Sequence, residues 1–119
     1  MITGFGGATI WSEDLNNLLP FYRDTLGLKP GMSMEGFIVF DSDPTAPSLA
    51  LGTHSDVHGM NTDPMRHMVA FITDDMTGTV AQLKGKGVQF IDEPAKFENV
   101  LVSTFKDPEG NLLQLLQFD

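Results

Sequence analysis

Three histidines, one tryptophan and a surplus of carboxylates are the side chains here with the most chemistry to offer. His54 and His58 stand four residues apart, a spacing that would put two imidazoles on one face of a helix and suit a metal. Asp56 lies between them, so a His/Asp/His loop site for a divalent ion is one reading. The segment Gly52-Thr53-His54-Ser55-Asp56-Val57-His58-Gly59 has no helical periodicity, which favours a hydrogen-bonded loop instead. His67 follows Arg66 at the start of an apolar run, where a structural or solvent role is expected before that of a general base. Trp11 offers a platform for stacking or for a cation over its ring. Without cysteine there is neither a disulfide nor a thiolate metal site. Gly4-Phe5-Gly6-Gly7 precedes a strand and does not join one to a helix, so it is not a phosphate cradle. No nucleophile elbow, P-loop or dinucleotide fingerprint is present.

The composition narrows the partners. The chain has 119 residues, 41% hydrophobic and 19% charged, which is the profile of a globular domain. Asp and Glu number 16 against 7 Lys and Arg, a formal charge of −9. The seven bases are scattered, so neither nucleic acid nor an anionic membrane surface is an expected partner. No apolar run approaches the length that spans a bilayer, and the first residues lack a basic segment leading into a long apolar one. A cytoplasmic protein is expected. Its field would favour a cationic small molecule.

The elements that must position these side chains come in two copies. Ser12-Glu13-Asp14-Leu15 matches Thr73-Asp74-Asp75-Met76 at an offset of 61, which also pairs Leu19 with Val80 and Tyr22 with Leu83. Each copy reads as strand, acidic turn, amphipathic helix, glycine and further strands. In the first, a strand over Thr3–Trp11 leads to a helix capped by Asp14, with Leu15, Leu18, Leu19, Tyr22 and Leu26 on one face. Pro20 is awkward within that helix and predicts a late start or a bend; Gly27 ends it. Glu35–Asp41 and Ser48–Leu51 read as strands around the turn Asp41-Ser42-Asp43-Pro44. In the second copy, His67–Thr73 reads as a strand, and Asp74 or Asp75 caps a helix carrying Met76, Val80 and Leu83. Val88–Ile91 reads as a short strand. Val100–Lys106 and Leu112–Phe118 form a hairpin about the type I turn signal Asp107-Pro108-Glu109-Gly110-Asn111.

The expected architecture is therefore α+β: two βαβββ modules, 1–59 and 60–119, together one compact domain with curved mixed sheets around a cleft. The segments that carry a family likeness are Phe21-Tyr22-Arg23-Asp24-Thr25-Leu26-Gly27-Leu28, Leu83-Lys84-Gly85-Lys86-Gly87-Val88, the two acidic helix starts, and Asp107-Pro108-Glu109-Gly110-Asn111. In this order the chain resembles the vicinal oxygen chelate superfamily, also called the glyoxalase, bleomycin-resistance and extradiol-dioxygenase superfamily. The resemblance implies a cleft between the modules, often a homodimer and, in the enzymes, a divalent metal on His, Gln or Glu from four cleft-facing strands. It also implies where those ligands would stand here, namely Gly7, Ala50, Met68 and Gln114. A hydrogen, a methyl, a thioether and one neutral amide do not make a site for a hard divalent ion.

Strand alternation then predicts the lining. Phe5, Gly7, Thr9 and Trp11 face the cleft from the first strand, with Ser48 and Ala50 beside them. Met68, Ala70 and Ile72 face it from the second module, with Leu112, Gln114 and Leu116 from the last strand. The run from Leu51 to Gly59 resembles a feature of one branch of the superfamily, which would place His54 at the cleft rim. The expected function is a metal-free small-molecule-binding protein with no cofactor, of the kind that sequesters an antibiotic or metabolite. Its ligand would be aromatic or cationic and its assembly a homodimer. The alternative is a metal-dependent lyase, isomerase or dioxygenase with an unconventional ligand set drawn from His67, His54, His58 and Gln114.

Overall fold

A computed structural model describes every residue of the chain except Ser42 and Pro44. The chain divides into two compact units, Met1–Gly59 and Met60–Asp119. The first contains β1 (Gly7–Ser12), β2 (Pro30–Met34), β3 (Phe37–Phe40) and β4 (Ser48–Thr53) in the sheet order β1-β4-β3-β2. The second contains β5 (Val69–Ile72), β6 (Ala95–Phe97), β7 (Val100–Lys106) and β8 (Leu112–Phe118) in the order β5-β8-β7-β6. In both, the first strand runs parallel to the fourth and the other pairings are antiparallel. A parallel pair needs a crossover, and each unit supplies it with a helical segment after its first strand.

The offset of 61 is visible in the hydrogen bonds. The Asp14 N–H donates to Ser12 Oγ at 3.0 Å, and the Asp75 N–H to Thr73 Oγ1 at 3.1 Å. Each aspartate then caps the turn that follows, Asp14 accepting from the Asn16 N–H and Asp75 from the Gly78 N–H. The pairings Thr9–Ala50 and Ala70–Gln114 are likewise equivalent.

The second unit builds α1 (Met76–Gly85), with Met76, Val80 and Leu83 buried. Gly87, at φ +88°, reverses the chain, and the Val88 N–H returns to the Leu83 carbonyl at 3.0 Å. The first unit departs from the continuous helix expected after Asp14. A single 3₁₀ turn, Leu15–Asn17, gives way to a wide turn over Phe21–Thr25 in which the Leu26 N–H reaches the Phe21 carbonyl, five residues back. Pro20 between them has no N–H to donate, so no regular ladder can run through. The apolar face survives this break. Leu18 and Tyr22 are fully buried, and Tyr22 stacks on Phe40 with centroids 6.4 Å apart.

Four other expectations change. β1 begins at Gly7, so Phe5 precedes the strand and lies exposed. Pro30–Met34 is a strand in a segment where the sequence predicts no element; the register shifts between Pro30 and Met32, which accommodates Pro30 and Gly31 at the sheet edge. β5 is shorter than His67–Thr73 and leaves His67 exposed outside it. Val88–Ile91 makes one isolated bridge, Phe90 to Phe105, and β6, the second strand of the unit, is Ala95–Phe97 instead. The cause is Asp92, whose carboxylate takes the Thr104 N–H at 2.8 Å and so replaces the next backbone pairing along β7. The first-module turn falls partly on Ser42 and Pro44, outside the described residues. The final hairpin is as expected: Asp107 accepts from the Glu109 and Asn111 N–H groups and from Asn111 Nδ2, and the Gly110 N–H closes the turn on the Asp107 carbonyl.

Candidate functional site

Each sheet has one face under its helical segment and one outer face. In the first unit, Ile38, Phe40 and Leu51 turn inward with Leu18 and Tyr22. Alternation therefore sends Gly7, Thr9 and Trp11 outward on β1, beside Ser48, Ala50 and Gly52 on β4 and Val39 and Phe37 on β3. Met32 and Met34, on the edge strand β2, pair with Val39 and Phe37 and share that face. In the second unit, Leu113 and Leu115 are buried, and Gln117 Oε1 accepts the Met76 N–H at the start of α1. The outer face consequently carries Ala70 and Ile72 on β5, Leu112, Gln114 and Leu116 on β8, and Thr104 and Val102 on β7.

The sequence-predicted lining thus falls on the two outer sheet faces, with differences in detail. Ala50 and Leu112 are buried, while Thr9, Trp11 and Ala70 are exposed. Met68 lies one residue before β5 and is half-buried. His54 follows β4 and sets its ring edge-on to Trp11, with centroids 5.5 Å apart and planes at 77°. Three residues that sequence reasoning did not select join this group. Phe37 lies beside Trp11 at 6.1 Å, and Gly52 lies beneath both rings. Met34 completes the row across the sheet. Alternation through Phe37-Ile38-Val39-Phe40 would have placed Phe37 outward, had the strand been set against Trp11.

The family's metal positions can be tested on this geometry. Gly7 has φ +147°, and a Cβ there would strike the Ser48 carbonyl and come within 3.1 Å of the Ser48 N, so a ligand side chain has no room without moving backbone. Ala50 has no donor atom, and the Met68 thioether is too soft for a hard cation. That leaves the Gln114 amide. His54 Nδ1 already accepts the Asp56 N–H at 3.1 Å, and His58 Nδ1 lies 3.4 Å from Glu13 Oε2. Among the described residues no three His, Asp or Glu side chains are placed to hold a metal ion. The donor set does not fit a divalent metal.

Glu13 ties the His54–Gly59 segment back to the end of β1. Its Oε1 accepts the Gly59 N–H at 3.1 Å. That bond, followed by the one to His58, holds its carboxyl below the ordinary carboxylate range.

Two four-stranded mixed sheets, each built on a strand–helix–three-strand repeat, define the class of the paired βαβββ proteins. The chain belongs to the Glyoxalase/Bleomycin resistance protein/Dioxygenase superfamily, whose family model matches residues 4–115. Over 119 residues it is 24% identical to the uncharacterized protein YetH of Bacillus subtilis strain 168, covering 97% of this chain and 98% of that one. A superfamily member from Sphaerobacter thermophilus DSM 20745 superposes with a TM-score of 0.77 at 24% identity, over 98% of each chain. A glyoxalase/bleomycin resistance protein/dioxygenase from Nocardioides gives 0.77 at 20% identity, over 99% of this chain and 85% of that one. At these identities the likeness is one of fold, and a fold hosts many chemistries. No helix among the described residues is long and apolar enough to cross a membrane.

Proposed function

We propose that this chain is a small-molecule-binding member of the superfamily that works without a divalent metal or other cofactor, of the kind that sequesters an antibiotic or metabolite. The observation that carries this reading is Gly7. At the first of the family's ligand positions the backbone approaches Ser48 so closely that no side chain fits. The other three positions, Ala50, Met68 and Gln114, supply a single amide between them. The outer face of each sheet supplies what a binding protein needs: apolar surface with a few polar groups set in it. Thr9, Ser48 and His54 are polar groups of the first unit, and Gln114 is one of the second. Phe5, Ala70 and Leu116 remain part of the proposed binding surfaces and the buried Leu112 lies beneath them; we expect them in a cytoplasmic homodimer. Light scattering over a concentration series reads the dimer mass, and a constant monomer would remove that element.

The test of the metal-free reading is the melting temperature of tag-free protein in EDTA and then with Mg²⁺, Mn²⁺, Fe²⁺, Co²⁺, Ni²⁺ and Zn²⁺ in turn. A specific ligand at one hundred times its dissociation constant stabilises the native state by about 2.7 kcal/mol, a readily measured shift. The expected outcome is no metal-dependent shift. A rise with one metal, reversed by EDTA and lost in His67→Ala, would replace this reading with a metal-dependent lyase, isomerase or dioxygenase.

A further inference from the structure

The first unit's outer face holds a feature that the absence of metal ligands does not require: the Trp11 indole is built into position. Gly52 stands between Trp11 on β1 and Phe37 on β3 in one row across the sheet. A Cβ at Gly52 would lie 2.7 Å from Trp11 Cε3 and 3.0 Å from Phe37 Cδ1. The indole therefore rests on the backbone of β4 at a spot only glycine leaves open. Phe37 tilts against it at 42° and His54 meets it at 77°. His54 is itself fixed, its backbone N–H donating to the Ser12 carbonyl at 3.0 Å and its Nδ1 accepting from Asp56. Held in this way, Trp11 still keeps 43% of its surface exposed. An aromatic ring already fixed in place loses little rotamer freedom when a ligand stacks on it.

The surroundings select the ligand's charge. Thr9, Val39, Met32 and Met34 share the face with Trp11 and Phe37, and none is ionisable. The first unit has seven carboxylates against two cations, Arg23 and Lys29. Arg23 is engaged with Asp24 at 2.8 Å. Among the described residues, none of the strands β1–β4 contains a lysine or arginine to receive a carboxylate or phosphate, and the base beside Trp11 is the His54 imidazole. The indole quadrupole and the negative field both favour a positive ligand. The exposed thioethers of Met32 and Met34 adapt to the outline of a flat ring. We propose that Trp11, laid over Gly52 and braced by Phe37 and His54, is the stacking seat for a planar organic cation. This rests on the small-molecule-binding reading and adds the ligand class and the residue that selects it.

Trp11 is the one tryptophan of the chain, so its fluorescence reports on this site alone. Three probes of one shape separate stacking from charge: N-methylquinolinium, quinoline and quinoline-4-carboxylate, titrated at neutral pH by fluorescence and by calorimetry. The cation should quench Trp11 saturably and bind about tenfold tighter than quinoline, with the carboxylate weakest. Trp11→Phe keeps a ring and should weaken the cation by about threefold. Gly52→Val, confirmed as folded by its circular dichroism melt, should displace the indole and weaken it at least as much. Trp11→Ala should abolish the calorimetric signal. Equal affinity for the three probes, cation binding unchanged in Trp11→Phe and Gly52→Val, or no saturable binding of N-methylquinolinium would each overturn the proposal. None of these results moves the metal melt, which decides the broader reading independently.

Discussion

The two units share a strand order and a parallel first–fourth pairing, yet they reach that topology with different crossovers and finish with different outer faces. In the second, an aspartate cap, ten helical residues and a glycine reversal form a regular α1 on Met76, Val80 and Leu83. In the first, Pro20 interrupts the ladder, and two fully buried side chains, Leu18 and Tyr22, pack the segment on the sheet. The outer faces diverge in the same way. Trp11, Phe37 and two methionines mark the first, whereas Ile72, Leu116 and Val102 around Gln114 and Thr104 mark the second. The crossover need only bury an apolar stripe, and the exposed face is then free to specialise.

The sharpest way to break this contrast is Tyr22→Ala. If the interrupted crossover is held by side-chain burial, removing a fully buried aromatic ring should cost roughly 3–5 kcal/mol in chemical denaturation. Leu83→Ala, at the matching position of α1, should cost at the lower end of roughly 2–5 kcal/mol, because the capped helix retains its own hydrogen bonds. A smaller loss for Tyr22→Ala than for Leu83→Ala would mean that the irregular turn carries stability of its own.

Positions 7 and 68 sharpen the comparison at the sheet edge. Gly7→Ala introduces a side chain where φ is +147° and the Ser48 carbonyl blocks it, so a loss of about 1–3 kcal/mol is expected from strain alone. Met68→Ala trims a half-buried, flexible side chain and should cost less. Denaturant midpoints of the two variants compare them directly. A harmless Gly7→Ala would show that β1 can move away from β4, and the argument against a ligand at that position would fall with it.

What the sequence disclosed follows from what kind of physics wrote it. The Asp107–Asn111 hairpin, the Asp14 and Asp75 caps and the alternation of β1 and β8 depend on neighbours in the chain and were legible. The break at Pro20 was legible as a tension, and its outcome depended on how Tyr22 meets Phe40 across the core. The strand at Ala95–Phe97 was not legible, because Asp92 diverts the Thr104 N–H through a side-chain bond between residues twelve apart. The candidate site divided along the same line. Trp11 was placed by strand alternation and His54 by the family likeness, but Gly52 and Phe37 acquire their roles only once β1, β4 and β3 lie side by side. Gly7, read as a mere lack of a ligand, gained its stronger meaning from the Ser48 carbonyl above it.

The smallest expected effect lies at the ends of the first strands, where Glu13 is the counterpart of Asp74. Among the described residues, only the first unit turns this residue back on a loop, through the Gly59 N–H and His58. Because those bonds favour the ionised carboxylate, the folded pKa of Glu13 lies below its unfolded value. Its contribution is therefore complete above the unfolded carboxylate pKa and is lost as the pH falls through the lower, folded one. The group is exposed to solvent, so the effect should appear as local loosening of Gly59 and leave global stability nearly unchanged. The Gly59 amide resonance should shift with a midpoint below that of a free glutamate, and Glu13→Gln should flatten that titration. An unchanged Gly59 profile in Glu13→Gln would mean that the loop following β4 holds its shape without the carboxylate, leaving the His54–Trp11 contact to depend on the Ser12 and Asp56 bonds alone.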